Sequence, residues 1–313
     1  MLKKALITGA AGFIGSNLTQ KLLENNIQVL AVDDFSSGKI NNLPNKEKKL
    51  KICKMNILDK NISELIVDFN PDITYHLAAQ ISVSRSTEDP LSDAKINIIG
   101  SLNLLESIKK LNHNHKFIYI TSGGTVYGEA EKLPAKEDSP VMPLSQYGAS
   151  KYSVENYLKI YKRLYKIKYS ILRLANVYGP KQDPHGEAGV IAIFIKAILS
   201  KKHFQIFGDG EDQRDYIYID DVIRAILLAG LSNGHGPYNI GTGKGTSTNK
   251  IFSLISKYCG YSDPPLYGKP RPGDIKKIML DINKAKKEIN WSPKFNIEEG
   301  IRKTVDWFIK NAN

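Results

Sequence analysis

Apolar and polar positions along the first half of this 313-residue chain follow two alternating patterns. Short runs of β-branched and other apolar residues are typical of buried strands, and we predict strands at residues 5–8, 29–32, 50–53, 73–77, 117–122 and 170–174. Between these runs, apolar residues recur at helical spacing, which predicts helices at residues 14–24, 61–68, 96–111 and 147–165. Strands and helices that alternate in this way build a parallel sheet covered on both faces. The first half therefore predicts a doubly wound α/β fold.

The regular alternation ends after residue 176, where "VYGPKQDPHGEAG" is rich in glycine and proline and predicts a long loop. Beyond it we predict a strand at residues 238–240 and helices at 190–199, 222–231, 249–258, 283–289 and 297–309. We expect residues 1–175 to form one domain, completed by parts of 215–260, and residues 176–313 to form a smaller, interleaved C-terminal α/β domain. Long loops beside a regular sheet usually carry function, so we expect the same of this loop.

The composition is that of an ordinary globular protein, with 42% hydrophobic residues. No apolar run approaches the ~20 residues that cross a bilayer, so we expect no membrane contact and a cytoplasmic location. The formal net charge of +12 raises nucleic acid as a partner, but the lysines are scattered and their local clusters stand among polar loop residues. We therefore expect a solvated basic surface without bound nucleic acid. A positive field would also suit a phosphate-bearing substrate.

The cysteines and histidines predict neither a disulfide nor a metal site. Cys53 and Cys259 are the two cysteines and lie far apart in the sequence, so we expect both to be reduced. His113, His115 and His185 lack companion ligands at the spacings that metal sites use. We therefore expect no bound metal.

The stretch "ITGAAGFIG" places Gly9, Gly12 and Gly15 directly after the first predicted strand, where the first predicted helix begins. In a dinucleotide-binding turn the first glycine permits the sharp bend, the second lets backbone N–H groups approach a pyrophosphate, and the third lets helix and strand pack closely. A structural turn without a ligand is the alternative for the motif alone. Asp33 ends the second predicted strand, about 20 residues further on, where a carboxylate can bind the adenosine ribose and repel a 2′-phosphate. The combination predicts a Rossmann-type sheet and favours NAD over NADP.

The stretch "SQYGASK" puts Tyr147 and Lys151 four residues apart at the start of a helix, with Ser145 as its N-cap. Both side chains then leave the helix on one face. A free phenol has a pKa of ~10, and we expect the neighbouring ammonium to lower the pKa of Tyr147 so that it can act as a base. Without the glycine turn upstream, an exposed Tyr and Lys on a helix would be the better interpretation.

Seven blocks of sequence follow one another along the chain: "TGAAGFIG", "HLAAQISV", "TVYG", "YGASK", "RLANVYGP", "FGDGEDQRDYIYIDDV" and "RPGD". Together they resemble the extended short-chain dehydrogenase/reductases, and among them the UDP-hexose 4-epimerases. The resemblance covers nearly the whole chain. It implies that the protein interconverts UDP-glucose and UDP-galactose: the hydride at the sugar C4 passes to NAD, and the 4-keto sugar turns and takes it back on its other face.

The resemblance also implies particular site residues. Tyr147 would be the catalytic base and Lys151 its partner. Contacts to the cofactor NAD are expected at Gly9, Gly12, Phe13, Ile14, Gly15, Asp33, Asp34, Ser37, Gly38, Asn56, Ile57, Leu77, Ala78, Ala79, Gln80, Asn97, Tyr147 and Lys151. Contacts to the UDP-sugar are expected at Asn176, Gly189, Val190, Phe207, Arg214, Arg271, Asp274 and Ile278.

The chain departs from the family pattern at Gly123, where relatives usually place the Ser or Thr that accompanies the catalytic tyrosine. Ser122 and Thr125 flank this glycine, and we assign the hydroxyl to the two jointly. Family dehydratases and decarboxylases carry acidic residues in this stretch, whereas Gly124 and Thr125 offer no carboxylate. The departure therefore counts against both of these activities.

Substrate range and assembly stay open at this point. Ile278 stands where some relatives have a large Tyr that excludes an N-acetyl group and others have a smaller residue, so UDP-GlcNAc and UDP-GalNAc remain candidates beside UDP-glucose and UDP-galactose. The alternatives to an epimerase are another NAD-dependent nucleotide-sugar dehydrogenase or reductase, and a catalytically idle dinucleotide-binding protein. The apolar faces of residues 97–111 and 152–164 resemble helices through which relatives pair, which implies a homodimer; burial inside one chain would give the same pattern.

Overall fold

Residues 2–45, 47–111, 114–185, 189–270 and 275–311 are described by a computed structural model. Its strands are Lys4–Thr8 (β1), Gln28–Asp33 (β2), Leu50–Lys54 (β3), Ile73–His76 (β4), Lys116–Ser122 (β5), Lys168–Leu174 (β6), Asn176–Tyr178 (β7), Gln205–Phe207 (β8), Gln213–Tyr218 (β9), Tyr238–Ile240 (β10), Gly245–Ser247 (β11), Leu266–Gly268 (β12) and Lys277–Ile278 (β13). Its α-helices are Phe13–Glu24 (α1), Ile62–Phe69 (α2), Val83–Glu88 (α3), Pro90–Ala94 (α4), Gly100–Ile108 (α5), Gly123–Val126 (α6), Gln146–Tyr165 (α7), Val190–Leu199 (α8), Ile219–Leu231 (α9), Thr248–Cys259 (α10), Asn283–Ile289 (α11) and Ile297–Lys310 (α12).

A seven-stranded sheet lies at the centre, in the order β10-β6-β5-β4-β1-β2-β3, and every neighbouring pair runs parallel. Successive side chains of β1 alternate between two apolar clusters, with Ala5 and Ile7 in one and Leu6 in the other, because neighbouring residues of a strand face opposite sides of the sheet. Helices α1 and α9 complete the first cluster, and α2, α5 and α7 complete the second. This arrangement confirms the predicted Rossmann-type, doubly wound parallel sheet.

The strand order reverses between β1 and β4, since β2 and β3 extend the sheet on one side of β1 and β4, β5 and β6 extend it on the other. In open α/β sheets, ligands bind outside the carboxyl ends of the strands at such a reversal. The glycine turn that follows Thr8 and the segment that follows His76 both lie at this place. The topology thus positions the candidate site.

The C-terminal half adds small sheets beside the central one. Strand β9 pairs with β7, β11 and β13, and β8 pairs with β12. The predicted loop after residue 176 is wrong at its start, because Asn176–Tyr178 forms β7 on β9. A three-residue strand is too short to show a period of two, and its hydrogen-bond partner lies far away in sequence. Strand β10 joins the central sheet beside β6. The division into residues 1–175, completed by parts of 215–260, and residues 176–313 stays a prediction.

Several short helices have no counterpart in the predicted pattern. The helix predicted at residues 96–111 is wrong at its start, since helical structure begins with α4, continues through a π-helical segment at Lys95–Ile99 and ends with α5. Asp89 caps α4 by accepting a hydrogen bond from the Ser92 N–H at 3.0 Å. Helices of four to six residues such as α3, α4 and α6 span too little sequence to display a helical period.

Within the described ranges, no helix combines the length and the apolar character that spanning a membrane requires. In the same residues, no three or more His, Cys, Asp and Glu side chains are grouped so that they could hold a metal ion. His113 lies outside the described residues. Cys53 and Cys259 are both free thiols.

Candidate active site

The glycine turn contains three glycines, and a different physical reason explains each of them. Gly9 has a backbone φ of +69°, and a Cβ there would lie 2.6 Å from the Ala78 nitrogen. A Cβ on Gly15 would lie 2.1 Å from the Gly9 oxygen, so α1 can approach the turn only if this residue is glycine. At Gly12 the nearest protein atom to a Cβ would be the Gly9 oxygen at 3.3 Å. The chain's own packing therefore requires Gly9 and Gly15, whereas the bare backbone at Gly12 suits the approach of a ligand.

Asp33 ends β2 with its carboxylate held in place by backbone donors. Its Oδ2 accepts from the Ala11 N–H and its Oδ1 from the Phe35 N–H, each at 2.8 Å. The residue is 7% exposed, and burial raises the pKa of Asp33 while both backbone bonds oppose the rise. Each carboxylate oxygen keeps a further lone pair for a ligand hydroxyl. The group is therefore a rigid acceptor beside the glycine turn.

A cavity of about 990 Å³ follows the carboxyl ends of the central strands. Every residue predicted to contact the cofactor lines it, except Asn97. Ser122, Tyr147 and Lys151 line the same cavity, so the structure brings the glycine turn and the acid/base pair together. Residues of the lining that were not predicted include Lys39, Asn42, Ile81, Ser82, Arg85 and Lys181.

Among the described residues, those predicted to contact the substrate lie outside the lining of this cavity. Asn176 begins β7, Arg214 lies on β9 and Ile278 on β13, and both outer strands pair with β9. Ile278 stands opposite Arg214 in the strand register. Asn176 is exposed, whereas Ile278 is only 2% exposed. One small sheet therefore gathers three of the predicted substrate residues.

The remaining predicted substrate residues are spread over other elements. Gly189 is the N-cap of α8 and Val190 is its first residue. Phe207 ends β8 and is 39% exposed. Arg271 and Asp274 lie outside the described residues, so their contacts to the UDP-sugar stay a prediction.

The start of α7 fixes the acid/base pair. The Ser145 hydroxyl accepts a hydrogen bond from the Gly148 N–H at 3.1 Å, which confirms the predicted N-cap. Lys151 is 4% exposed, and its Nζ lies 4.5 Å from the centre of the Tyr119 ring. Tyr147 is partly buried. Both side chains reach the cavity from one face of the helix, as the four-residue spacing predicts.

Burial dominates the ionisation of this pair. It lowers the pKa of Lys151 to about 7, while the carboxylates of Asp93 and Glu155 oppose the change. Burial also raises the pKa of Tyr147, and Asp93 adds to the rise. The expectation that the ammonium lowers the phenol pKa is therefore wrong for the protein alone, because desolvation disfavours both charged forms.

The departure at Gly123 has a packing cause. A Cβ on this residue would lie 2.5 Å from Cδ1 of Leu280, a fully buried side chain. Leu280 thus occupies the space that a Ser or Thr at position 123 would need. Ser122 lines the cavity, whereas Thr125 does not and its buried hydroxyl has no hydrogen-bond partner among the described residues. The geometry favours Ser122 as the hydroxyl beside Tyr147.

A buried chain of hydrogen bonds behind the cavity was not predicted. The Ser101 hydroxyl donates to the Asn97 carbonyl at 2.6 Å, so it accepts from Nε2 of His76 at 2.9 Å. Nδ1 of His76 then accepts from the Thr8 hydroxyl at 2.7 Å. Burial lowers the pKa of His76 well below its usual value. The chain ties the ends of β1 and β4 to α5, and no spacing of residue types could have revealed it.

Comparisons with known proteins agree with this arrangement. The family model described as GDP-mannose 4,6 dehydratase matches residues 6–304. A UDP-glucose 4-epimerase of Mycolicibacterium smegmatis is 44% identical over 308 residues, which cover 97% of this chain and 98% of that protein.

Two solved structures superpose closely on the chain. A UDP-glucose 4-epimerase of Thermotoga maritima, crystallised with UDP-glucose, has a TM-score of 0.95 and 46% identity and covers 99% of this chain and 100% of that one. A UDP-glucose 4-epimerase of Thermus thermophilus, crystallised with NAD, has a TM-score of 0.90 and 39% identity and covers 98% of this chain and 99% of that one. The match therefore extends over the central sheet and the C-terminal region alike.

Proposed function

Because this chain belongs to the GDP-mannose 4,6-dehydratase family of extended short-chain dehydrogenase/reductases, we propose that it is an NAD-dependent epimerase that inverts C4 of UDP-hexoses. One observation carries this proposal: Ser122, Tyr147 and Lys151 line the same cavity as the glycine turn and Asp33. A dinucleotide and a sugar hydroxyl can therefore meet at one acid/base pair.

NAD is the cofactor, and the residues present fit it. The open backbone at Gly12 and the N-terminus of α1 suit a pyrophosphate. The Asp33 carboxylate suits the hydroxyls of the adenosine ribose and disfavours a 2′-phosphate. Lys151, which lines the cavity with Tyr147, would donate to the second ribose and supply positive charge beside the phenol.

The chain's own residues hold and move the proton. When bound, NAD would supply reversible hydride transfer at the sugar C4. Tyr147 takes the proton of the 4-hydroxyl and gives it back at the end of the cycle. The Ser122 hydroxyl orients the sugar oxygen toward Tyr147, and the Lys151 ammonium stabilises the phenolate. Affinity must come from the nucleotide part, because the hexose has to turn between the two transfers.

The surroundings of the sugar position favour epimerisation over loss of water. A Cβ on Gly124 would lie 3.6 Å from the Asn176 side-chain oxygen and 3.7 Å from the Ser122 hydroxyl. Position 124 therefore adjoins one predicted substrate residue and one predicted catalytic residue, and it carries no acid. Elimination of water from the sugar needs a general acid, which neither Gly124 nor Thr125 can supply.

We infer that UDP-glucose and UDP-galactose are the principal substrate pair. Ile278 packs in a buried cluster with Val126 and Tyr127, directly behind the short helix α6. Replacement of Ile278 by Tyr would enlarge the side chain in this cluster, against which the end of α6 packs. We expect Ile278→Tyr to reduce any activity on UDP-GlcNAc at least tenfold relative to activity on UDP-galactose; equal loss on both would contradict a gating role.

We further infer a homodimer that works in the cytoplasm. Apolar side chains stand exposed on one stretch of α7 and on the neighbouring π-helical segment: Ile99, Tyr157, Ile160 and Leu164 are 53%, 37%, 48% and 60% exposed. Exposed apolar surface of this kind supports an interface between two copies of the chain. The two free thiols are in keeping with a reducing compartment.

The proposal is tested by incubating the purified protein with UDP-galactose without added NAD and resolving the sugar nucleotides. We expect UDP-glucose to form without net accumulation of NADH, and Tyr147→Phe to lower the turnover by about 10²- to 10⁴-fold while the fold is retained. Tyr165→Phe, at the end of the same helix and 46% exposed, is the matched control and should keep full activity. Stoichiometric NADH would indicate a dehydrogenase, and no turnover in the wild type would support an idle dinucleotide-binding protein.

A further inference from the structure

A buried carboxylate outside the predicted site stands behind the acid/base pair. Asp93 is the fourth residue of α4 and is 1% exposed. One of its oxygens, Oδ1, accepts from Nε2 of Gln80 and from Nδ2 of Asn97, each at 2.9 Å. Burial of an ionised carboxylate costs free energy unless hydrogen bonds or an opposite charge compensate for the lost hydration.

The two amides that bind Asp93 also hold the wall of the cavity. The Gln80 N–H donates to the Asn97 side-chain oxygen at 2.9 Å, and the Asn97 amide donates to the Gln80 carbonyl at 3.0 Å. The same amide lies 3.3 Å from the Ser150 hydroxyl, which donates to the Tyr147 carbonyl at 3.0 Å. Asp93 is thus connected by hydrogen bonds to the segment that lines the cavity and to the first turn of α7.

Groups on four elements act on the Lys151 ammonium: the Tyr119 ring on β5 lies 4.5 Å from its Nζ, and Asp93 on α4, Glu155 on α7 and His76 on β4 interact with its charge. Tyr147, on the same helix as Lys151, lines the same cavity. These groups differ in whether they carry a charge and in whether a neighbouring opposite charge neutralises it. Burial keeps His76 neutral and also disfavours ionisation of Tyr119.

Glu155 is matched by its own cation. Arg173 donates to both of its carboxylate oxygens, at 3.0 and 2.7 Å, and both side chains are almost fully buried. Asp93, by contrast, binds two neutral amides. Its negative charge is therefore the one left to act on Tyr147 and Lys151.

We propose that Asp93 is a positioning residue that sets the charge of the Tyr147–Lys151 pair while its two amide bonds fix the wall of the cavity. The inference rests on the proposed function and extends it to a residue that does not line the cavity. A fixed negative charge near two titrating groups favours the protonated form of both. Asp93 therefore keeps the lysine charged near neutral pH and moves the range of activity toward higher pH.

The direction of the effect follows from this charge. Without Asp93, both proton losses of the coupled pair occur at lower pH. The acid limb and the alkaline limb of the pH profile should then move together in the acid direction. A residue that merely shapes the cavity would lower the activity by the same factor at every pH.

The test compares Asp93→Asn with Asp89→Asn. The first variant keeps an oxygen that can accept from both amides but removes the buried charge. The second removes an exposed charge from the N-cap of the same helix and keeps a good capping residue. We expect the pH profile of kcat/KM for UDP-galactose to shift by about 0.5 to 1 unit toward acid in Asp93→Asn and to stay in place in Asp89→Asn. An unshifted profile in folded Asp93→Asn would overturn the proposal, and so would a uniform loss of activity.

Two further measurements keep the outcome decisive. Asp93→Glu retains the charge and should keep the profile of the wild type even if its activity is lower. Phenolate absorbance during an alkaline titration, taken as the difference between each protein and the same protein with Tyr147→Phe, reports on Tyr147 without turnover. We expect Asp93→Asn to ionise Tyr147 at lower pH, and an unchanged titration contradicts the role of Asp93. If the wild type interconverts no UDP-hexose, the proposed function fails while this titration still tests Asp93.

Discussion

Single residues of the glycine turn divide into those that the protein needs and those that its ligand needs. The backbone of Gly9 and the close packing at Gly15 leave no room for a side chain, whereas a Cβ on Gly12 would meet one protein atom at 3.3 Å. A motif that looks uniform in sequence therefore has two physical origins. Alanine substitutions at Gly12 and Gly15, each of which adds one methyl group, can measure this difference.

Gly12→Ala and Gly15→Ala should behave differently. We expect Gly12→Ala to change the free energy of unfolding by about 1 kcal/mol or less while the NAD content of the purified protein falls at least tenfold, because the methyl group stands in the path of the pyrophosphate. Gly15→Ala should destabilise the fold by about 1–3 kcal/mol through overpacking. Urea unfolding and the nucleotide released on denaturation measure both effects. Retention of NAD by Gly12→Ala would disprove the assignment.

Gly123 and Leu280 should behave as a coupled pair. We expect Gly123→Ser to cost about 1–3 kcal/mol of stability, because the new side chain meets Leu280. Leu280→Ala removes that obstacle, so the double variant should be at least about 1 kcal/mol more stable than the sum of the single effects. Gly124→Ala is the matched control, since its Cβ would make only ordinary contacts at 3.6 and 3.7 Å. Additive effects would show that the packing explanation for Gly123 is mistaken.

At the scale of elements, buried polar links hold the site's strands and helices in register. The chain from Thr8 through His76 to Ser101 joins β1, β4 and α5 at the point where the strand order reverses. The ion pair between Arg173 and Glu155 joins β6 to α7. Such links are costly when broken, because they leave buried polar groups without partners.

The link at His76 predicts a loss of stability in mild acid. The pKa of His76 lies well below its usual value in the folded protein, whereas the unfolded chain takes up the proton near pH ~6.5. Above that pH, proton binding by His76 does not reduce the free energy of unfolding. Below it, the free energy of unfolding falls with pH, because only the unfolded chain binds the proton. Between pH 7.5 and 5.5, His76 should contribute a loss of about 1.4 kcal/mol.

Urea unfolding at these two pH values measures that contribution. His76→Asn should lose correspondingly less stability on acidification than the wild type. His203→Asn, at an exposed position, should leave the pH dependence unchanged. If His76→Asn and the wild type show the same pH dependence, the pKa of His76 is the same in the folded and the unfolded protein, and the prediction is wrong.

At the scale of the whole molecule, one cavity joins the glycine turn, the end of β2 and the start of α7, while the small sheet around β9 carries three of the predicted substrate residues. The division suits an enzyme that grips its cofactor with the central sheet and its substrate with the C-terminal half. The outer face of α7 takes part in neither cofactor binding nor substrate binding in this arrangement.

The exposed apolar side chains on the outer face of α7 predict a homodimer. We expect Ile160→Asp together with Leu164→Asp to convert a dimer into monomers, because two charges would be buried in an apolar interface. Leu231→Asp, at a position 74% exposed on α9, should leave the mass unchanged. Sedimentation equilibrium measures both. A wild-type protein that is monomeric at micromolar concentration would refute the proposed dimer.

Local sequence determined the central sheet, the glycine turn, the acidic end of β2 and the cap of α7, because each depends on residues close together in the chain. Apolar periods set the strands and helices, and the fixed spacing in "YGASK" sets the shared face of Tyr147 and Lys151. The strands β7 and β9 pair with each other although about 40 residues separate them in the chain, and α4 has too few residues to show a period.

Only the tertiary structure decided which neighbours those residues meet. It placed Leu280 against Gly123, although more than a hundred residues separate them in the chain, and so favoured Ser122 for the hydroxyl. It also buried Lys151 and part of Tyr147, and desolvation together with the charge of Asp93 reverses the expected shift of the phenol pKa. Packing and desolvation are sums over side chains that the fold brings together, so no pattern along the chain contains them.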